Sequence, residues 1–303
     1  MQKFDRSVED LGNIVCLEHV NVRVPDQRLA TIFYISGLGL TRDPYLMTGV
    51  VNMWVNAGRA QFHLPQSRIE GYGEVLRGHT GLVIPDRAAL LKRLAEVAPM
   101  LAGTKFAYEA HNDHVAVTCP WGNRIKVYEP GPRFGQLALG MPYVQLDVPR
   151  GTVAGIVRFY QQIMNAPARV AESGGSPSAH VMVGQGQELI YRETDAALPE
   201  FDGHHIAIYI ADFSGPHKKL LAKGLVSEES DQHQYRFLDI VDPDTGKFLF
   251  RIEHEVRSMR HPMYARPLVN RNNAQTNRVY SPSHEGAGFS LPAPEGGLGP
   301  APR

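Results

Sequence analysis

The sequence lacks three features that would assign it to a class at once: many cysteines, a long apolar run and an excess of one charge. Only Cys16 and Cys119 occur in 303 residues, too few for a disulfide framework and without the spacing of a zinc motif. We therefore predict two reduced thiols. No apolar run approaches the roughly 20 residues that cross a bilayer, and Met1–Arg6 lacks the apolar core of a signal peptide. A cytoplasmic protein without membrane contacts is expected.

The charge balance and the length narrow the class further. Lys plus Arg and Asp plus Glu number 31 each, so the formal net charge is zero. Such a balance creates no global field that would favour nucleic acid, and a small molecule is the expected partner. The chain is about twice as long as a typical domain, which predicts two domains with separate cores.

One stretch, Glu18–Asp26, alternates strictly between apolar and polar residues. This period of two predicts a half-buried β-strand. Its polar face would carry His19, Asn21 and Arg23. A histidine, an amide and a guanidinium side by side indicate a binding surface.

The same pattern returns three times, in strands that begin near His79, Tyr143 and His205. A helix pattern and three short strand patterns follow each of them, so the chain consists of four β-α-β-β-β modules. The helix of the first module contains Phe33-Tyr34, and this pair recurs in the third module as Phe159-Tyr160.

Composition predicts the boundaries between the parts. The stretch around Gly131–Gly140 is rich in Gly and Pro, and residues after Arg257 lose all periodicity and end in Pro, Gly and Ala, which cannot bury enough apolar area to order. The predicted parts are an arm (1–13), a first domain (14–131), a linker (132–140), a second domain (141–256) and a partly disordered tail (257–303).

These features together resemble the vicinal oxygen chelate (VOC) superfamily, which includes glyoxalase I, fosfomycin-resistance enzymes, bleomycin-binding proteins and extradiol dioxygenases. The resemblance covers residues 14–256 and is carried by the paired modules, the Phe-Tyr pair, a His that opens strands one and five, and the Pro120–Asn123 turn. It implies an α+β fold with two half-open β-barrels, each built from two modules around a site.

The resemblance also implies a metal site in the first domain. Carried over residue by residue, its ligands fall on His19 in strand one, His63 in strand four and His79 in strand five. The fourth position, usually a glutamate, falls on Lys126, with Glu129 as the alternative. Three neutral imidazoles can hold Fe, Mn, Zn or Ni and leave positions open for a substrate.

Alternation aims further polar side chains of the first half at the same face. We predict that the substrate-binding residues are Asn21, Arg23, Trp54, Gln61 and Arg124. Lys126 or Tyr128 would carry a proton.

The second half keeps one histidine at a ligand position, His205, which we expect to be a core histidine in a degenerate site. Alternation aims apolar and aromatic residues inward there, among them Leu189, Tyr191, Phe248, Phe250 and Ile252.

Two functions fit this site. The leading hypothesis is a metal-dependent enzyme of dioxygenase, lyase or isomerase type that acts on a small anionic, oxygen-bearing substrate. The rival is a metal-free protein that sequesters such a ligand, and Lys126 favours it because an ammonium group opposes a metal cation. A third possibility makes both barrels a scaffold and the tail the interaction element. The chain would be a monomer or a homodimer.

Overall fold

A computed structural model describes residues 4–46 and 51–271. The chain divides into two compact units, one of Met1–His19 with Tyr143–Tyr264 and one of Val20–Pro142 with Ala265–Arg303. The end of the strand predicted near Met47 and the tail after residue 271 lie outside the described residues.

The helices and strands follow the predicted order. The helices are α1 (Gln27–Ala30), which continues as a π-helical segment (Thr31–Gly37), α2 (Arg87–Val97), α3 (Val153–Gln162) and α4 (Ser214–Ala222), with 3₁₀ turns at Arg6–Glu9, Ala98–Leu101 and Pro132–Phe134. The strands of the first two modules are β1 (Ile14–Asn21), β2 (Thr41–Arg42), β3 (Asn52–Ala57), β4 (Ala60–Pro65), β5 (Gly78–Val83), β6 (Ala107–Ala110), β7 (Val115–Thr118) and β8 (Arg124–Tyr128). Those of the last two are β9 (Gly140–Pro149), β10 (Ala168–Ser173), β11 (Ser176–Met182), β12 (Glu188–Thr194), β13 (His205–Ile210), β14 (Val226–Asp231), β15 (Gln234–Val241) and β16 (Phe248–Ser258).

The strands form two open sheets of eight, in the orders β14-β15-β16-β13-β1-β4-β3-β2 and β10-β11-β12-β9-β5-β8-β7-β6. Within a module the first and last strands are parallel neighbours, as in the pairs β5 with β8 and β13 with β16. The predicted fold of four β-α-β-β-β modules is thus confirmed. The first sheet contains the strands of modules one and four, whereas we expected modules one and two to surround one site.

The aspartate that closes the repeated strand pattern explains why a helix starts there. The side chain of Asp26 accepts a hydrogen bond from the backbone N–H of Leu29, and Asp86 does the same for Ala89, both at 2.9 Å. Each side chain satisfies an N–H that the first helical turn leaves without a partner. The aspartate of each Pro-Asp pair, Asp26 and Asp86, is therefore a helix N-cap.

In the unit that contains Tyr143–Tyr264, α3 packs on one face of strands β10, β11 and β12. Phe159 and Tyr160 of α3 are fully buried, as are Leu189 and Tyr191 of β12. The hydroxyl groups of Tyr160 and Tyr191 lie 2.5 Å apart. Leu189 and Tyr191 therefore face the helix, and the prediction that they face a site is wrong.

In the other unit, Phe33 and Tyr34 are buried beside Phe62 of β4. Residues 265–271 belong to the same unit. The side chain of Asn270 donates to the carbonyl of Gly58 and accepts from its N–H, each at 3.0 Å. The predicted tail thus contains at least one segment that packs on the domain.

None of the described helices is long and apolar enough to cross a membrane. Cys16 and Cys119 are reduced thiols, as predicted, and burial raises the pKa of Cys119.

Candidate metal centre

His19 is a fully buried residue of β1 whose two ring nitrogens have different surroundings. Its Nδ1 lies 2.6 Å from Glu18 Oε2. The carboxylate accepts the Nδ1 proton, and in this tautomer the lone pair lies on Nε2. This arrangement of carboxylate and histidine is common around protein-bound metals, because it fixes the tautomer and the ring orientation.

His205, at the start of β13, presents its Nε2 to the Nε2 of His19 at 3.5 Å. Burial lowers the pKa of His205, so the imidazole is neutral at neutral pH and available as a ligand. Two nitrogens that bind one tetrahedral zinc at about 2.0–2.1 Å lie roughly 3.4 Å apart. The spacing of His19 and His205 therefore fits a shared ion.

Glu255 of β16 is the third member of the group. Its Oε2 lies 3.5 Å from His205 Nε2, and all three residues belong to the same compact unit. His19, His205 and Glu255, which we call the histidine triad, could hold a divalent metal. Of the predicted set, His19 belongs to this group, and His205 stands where His79 was expected. His63 lies on β4, in the other compact unit.

The ring of His63 is held on both edges and on one face. Its Nδ1 accepts from the side-chain amide of Asn21, and its Nε2 donates to Asn52 Oδ1, each at 2.7 Å. Trp54 stacks on the ring with a centroid separation of 3.8 Å. These contacts fix the orientation of the His63 ring.

Two glutamates of β16 flank His205. Glu255 Oε2 lies 3.5 Å from His205 Nε2, and Glu253 Oε1 lies 3.7 Å from its Nδ1. Burial alone would raise the pKa of Glu255, but hydrogen bonding from His205 and the nearby positive charge of Arg257 hold it well below its usual range. Glu255 is therefore a carboxylate at neutral pH and a candidate third ligand.

Arg257 joins the carboxylate of Glu18 to that of Glu255. Its guanidinium donates to Glu18 Oε2 at 2.7 Å and also pairs with Glu255. Arg236 pairs with both Glu253 and Glu255. A buried carboxylate without a cation would be costly, so Arg257 allows both glutamates to stay ionised beside the histidines.

The predicted substrate-binding residues near His63 have mostly structural partners. Asn21 and Trp54 contact His63 itself and so orient it. The amide of Gln61 donates to Asn56 Oδ1 at 2.6 Å and to Asp43 Oδ2 at 3.1 Å. The roles of Gln61, Asn21 and Trp54 as substrate ligands stay predictions.

Arg23 and Glu129 both take part in hydrogen bonds that involve backbone N–H groups. The Arg23 side chain is 58% exposed and lies 3.7 Å from Glu74, which also accepts from the Arg23 N–H. Glu129 is exposed and accepts from the N–H of Arg87 at the start of α2, at 3.3 Å. Glu129 is thus placed as a helix cap.

The structure places four other predicted residues in the second sheet. His79 lies on β5, and Arg124, Lys126 and Tyr128 lie on β8. Arg124 donates to the Gly78 carbonyl at 3.1 Å. The structure brings none of these strands next to β1, β4 or β13 in the sheet order. Their predicted catalytic and binding roles stay predictions.

Sequence reasoning missed His205 as a member of the triad, together with Glu255 and Arg257. One signal could have found them. Charged residues occupy every second position of β16, as Arg251, Glu253, Glu255 and Arg257, and such a row of charges in a strand indicates a polar, functional face.

Comparisons with known proteins support the fold. No protein-family model matches the sequence, and no curated protein does. A variant of glyoxalase I from Zea mays is similar in structure, with a TM-score of 0.57 and 14% identity over 80% of this chain and 92% of that one. A candidate dioxygenase from Bacillus subtilis has a TM-score of 0.53 and 14% identity over 81% of this chain and 86% of that one. The protein therefore has the same fold as these two structures.

Proposed function

We propose that this protein is a metal-dependent enzyme of the VOC type, which acts on a small oxygen-bearing substrate at the histidine triad. The observation that carries the proposal is the approach of the Nε2 atoms of His19 and His205 to 3.5 Å, with Glu255 Oε2 at 3.5 Å from His205 Nε2. A divalent ion bound there would supply a Lewis acid for a carbonyl or enediol oxygen.

The residues of the chain itself would prepare and orient the site. Glu18 keeps the Nδ1 proton on His19 and so directs the Nε2 lone pair inward. Glu255 is ionised and nearly enclosed, which suits it either to complete the ligand set or to accept a proton from a bound substrate. Arg236 holds Glu255 and Glu253 in place.

The test is elemental analysis by plasma mass spectrometry on untagged protein purified without chelator. We expect close to one transition-metal ion per chain in the parent protein. His19→Ala and His205→Ala should lose it, because each removes one of the paired Nε2 ligands. His79→Ala is the matched control and should retain it.

Two results would contradict the proposal. One is a parent protein without metal even after reconstitution with Fe(II), Mn(II), Ni(II) and Zn(II). The other is a loss of metal in His79→Ala as large as in His205→Ala, which would favour the set expected from sequence.

A second function rests on His63. Both of its ring nitrogens are already hydrogen-bonded to asparagines, which favours a metal-free protein that binds a small polar ligand against the Trp54–His63 stack. In that case the parent protein would contain no metal, and Asn52→Ala would weaken ligand binding without any change in metal content.

A further inference from the structure

A polar face lies on the second sheet, on the side of strands β9, β11 and β12 that is turned away from α3. Tyr191 points to α3, so its neighbours Ile190 and Arg192 point the other way. The register sets His180 opposite Ile190, and Ser178 opposite Arg192. We call this side of the sheet the His180 face. None of its residues belongs to the histidine triad.

His180 and Glu188 form a hydrogen-bonded pair on this face. Glu188 Oε2 lies 3.1 Å from His180 Nδ1, and this hydrogen bond lowers the pKa of Glu188. The carboxylate accepts from Nδ1–H, and in the tautomer that this hydrogen bond selects the lone pair lies on Nε2. Among the described residues no group donates to this nitrogen, although it is buried.

Arg192, on the same face, has a buried hydrogen-bond donor where His180 has a buried acceptor. Its Nε is buried, and the described part of the chain offers no acceptor to it. Asp147 lies directly across on β9. Buried charged donors without partners are costly, and they are rare enough in native proteins that each one needs an explanation.

The guanidinium extends towards the tight turn between β10 and β11. Its Nε and Cζ lie 3.9 and 4.0 Å from the position that a Cβ of Gly174 would occupy. Gly174 and Gly175 have φ values of +56° and +75°, which L-residues rarely adopt. The turn therefore leaves room beside the guanidinium, where a side chain would otherwise stand.

We propose that the His180 face is a binding site for a small hydroxy acid. The carboxylate of the ligand accepts from Arg192, and its hydroxyl group donates to His180 Nε2. One ligand thereby satisfies both buried nitrogens. His180 and Arg192 are diagonal neighbours on adjacent antiparallel strands, roughly 7–8 Å apart at the backbone, a separation that such a molecule can bridge.

The charges of this face explain why a ligand with both groups fits better than a simple anion. Arg169 and Arg192 are balanced by Glu188 and Asp147, so the face has no excess of positive charge for a dianion. Recognition depends instead on one donor and one acceptor at fixed places, and a lost hydrogen bond in such a site is expensive.

Calorimetric titration of the full-length His205→Ala protein, dialysed against chelator, tests the site without a contribution from the triad. The probes are lactate, 3-hydroxybutyrate and malate, with butyrate and inorganic phosphate beside them. We expect binding of at least one hydroxy acid, and weaker binding of butyrate, which lacks the hydroxyl donor. Arg192→Gln should weaken hydroxy-acid binding at least about tenfold.

Two further variants separate the roles. His180→Ala should reduce hydroxy-acid affinity to the level of butyrate, while butyrate affinity itself stays within about twofold. Arg169→Gln is the matched control, since Arg169 is 62% exposed and already pairs with Glu188, and it should change affinity less than about twofold.

A second measurement does not depend on the choice of ligand. Because the Nε of Arg192 is buried and has no acceptor among the described residues, Arg192→Gln should raise the midpoint of thermal unfolding of the ligand-free protein, as is common when a functional residue is removed. The proposal fails if none of the hydroxy acids binds, if phosphate binds better than all of them, or if Arg192→Gln lowers the midpoint.

Discussion

The hydroxyl group of Tyr160 supports two other buried polar groups at once. His254 Nδ1 donates to the Ile252 carbonyl at 2.9 Å, so its Nε2 must accept the Tyr160 proton, at 2.6 Å. The oxygen of Tyr160 in turn accepts from the Tyr191 hydroxyl. The three side chains thus form a directed chain of hydrogen bonds inside the core.

The direction of this chain predicts unequal effects for two similar mutations. Tyr160→Phe leaves both Tyr191 and His254 without a partner and should lower the free energy of unfolding by roughly 2–4 kcal/mol. Tyr191→Phe, its control, removes only the terminal donor and should cost about 1 kcal/mol. Urea denaturation with linear extrapolation measures both. Equal losses would mean that the chain runs in the other direction.

Glu18 is the residue that we expect to set the metal affinity of the triad. Glu18→Gln keeps an oxygen for His19 Nδ1 but removes the negative charge, so His19 becomes a weaker ligand. We expect a loss of about 10- to 100-fold in affinity, the usual effect of such a change beside a metal ligand, measured by competition with a chromophoric chelator. Glu188→Gln alters the similar pair with His180 and should leave the affinity unchanged. An unaltered affinity in Glu18→Gln would remove Glu18 from the site.

At the scale of the element, β16 shows where prediction from sequence ends. Alternation counted from the preceding turn aims Phe248, Phe250 and Ile252 at a site, yet Phe248 is 53% exposed and Ile252 is fully buried. The register of β16 against β15 shifts twice, beside Phe237 and beside Ile240. A β-bulge reverses the facing of every later residue, and no turn residue marks these bulges in the sequence.

His254, on the same strand, leads us to expect that the protein becomes less stable in acid. Burial lowers the pKa of His254 to about 3, whereas the unfolded imidazole has its ordinary pKa near 6.5. Below that pH the unfolded state binds a proton that the folded state does not, so stability falls as the pH drops towards 3 and is independent of His254 above about pH 7.

We therefore expect His254→Gln to flatten the dependence of unfolding free energy on pH. The parent protein should lose up to about 1.4 kcal/mol more per pH unit than the variant between about pH 6 and 4. Urea denaturation at several pH values gives the curve of unfolding free energy against pH for each protein. Between pH 7 and 8 the two curves should run parallel. Parallel curves over the whole range would show that His254 has the same pKa in the folded and unfolded states.

At the scale of the whole molecule, the repeats predicted four modules correctly but not which of them share a sheet. From the sequence, the first strand of module one could pair with the first strand of any other module, because the four first strands carry the same alternating pattern. The counterpart of His19 was visible in the sequence as His205, but as a lone histidine among apolar residues it resembled a core residue. The glutamates that identify it as part of a site are distant in sequence and come close only in the folded sheet.

The boundaries of the second domain lead to a last prediction. The predicted boundaries, 141–256, omit the residues before His19 that pack in the same compact unit. Leu17 is fully buried, and the side chain of Gln187 bonds both its N–H and its carbonyl, at 3.0 and 2.9 Å. Asn13 contributes further, since its amide donates to the Met164 carbonyl at 3.1 Å. A fragment that starts at residue 140 thus lacks part of its own core.

We expect a fragment of residues 140–264 to unfold at a lower temperature in the absence of a synthetic peptide of residues 10–21 than in its presence. The peptide restores the buried Leu17 and the hydrogen bonds of Gln187, and ligands that bind only the folded state raise its stability. Differential scanning calorimetry measures the shift. A peptide with Asn13→Ala and Leu17→Ser is the control, because it keeps the length but loses the anchors. If both peptides raise the midpoint equally, or neither does, the N-terminal strand does not belong to the folding unit of the second half.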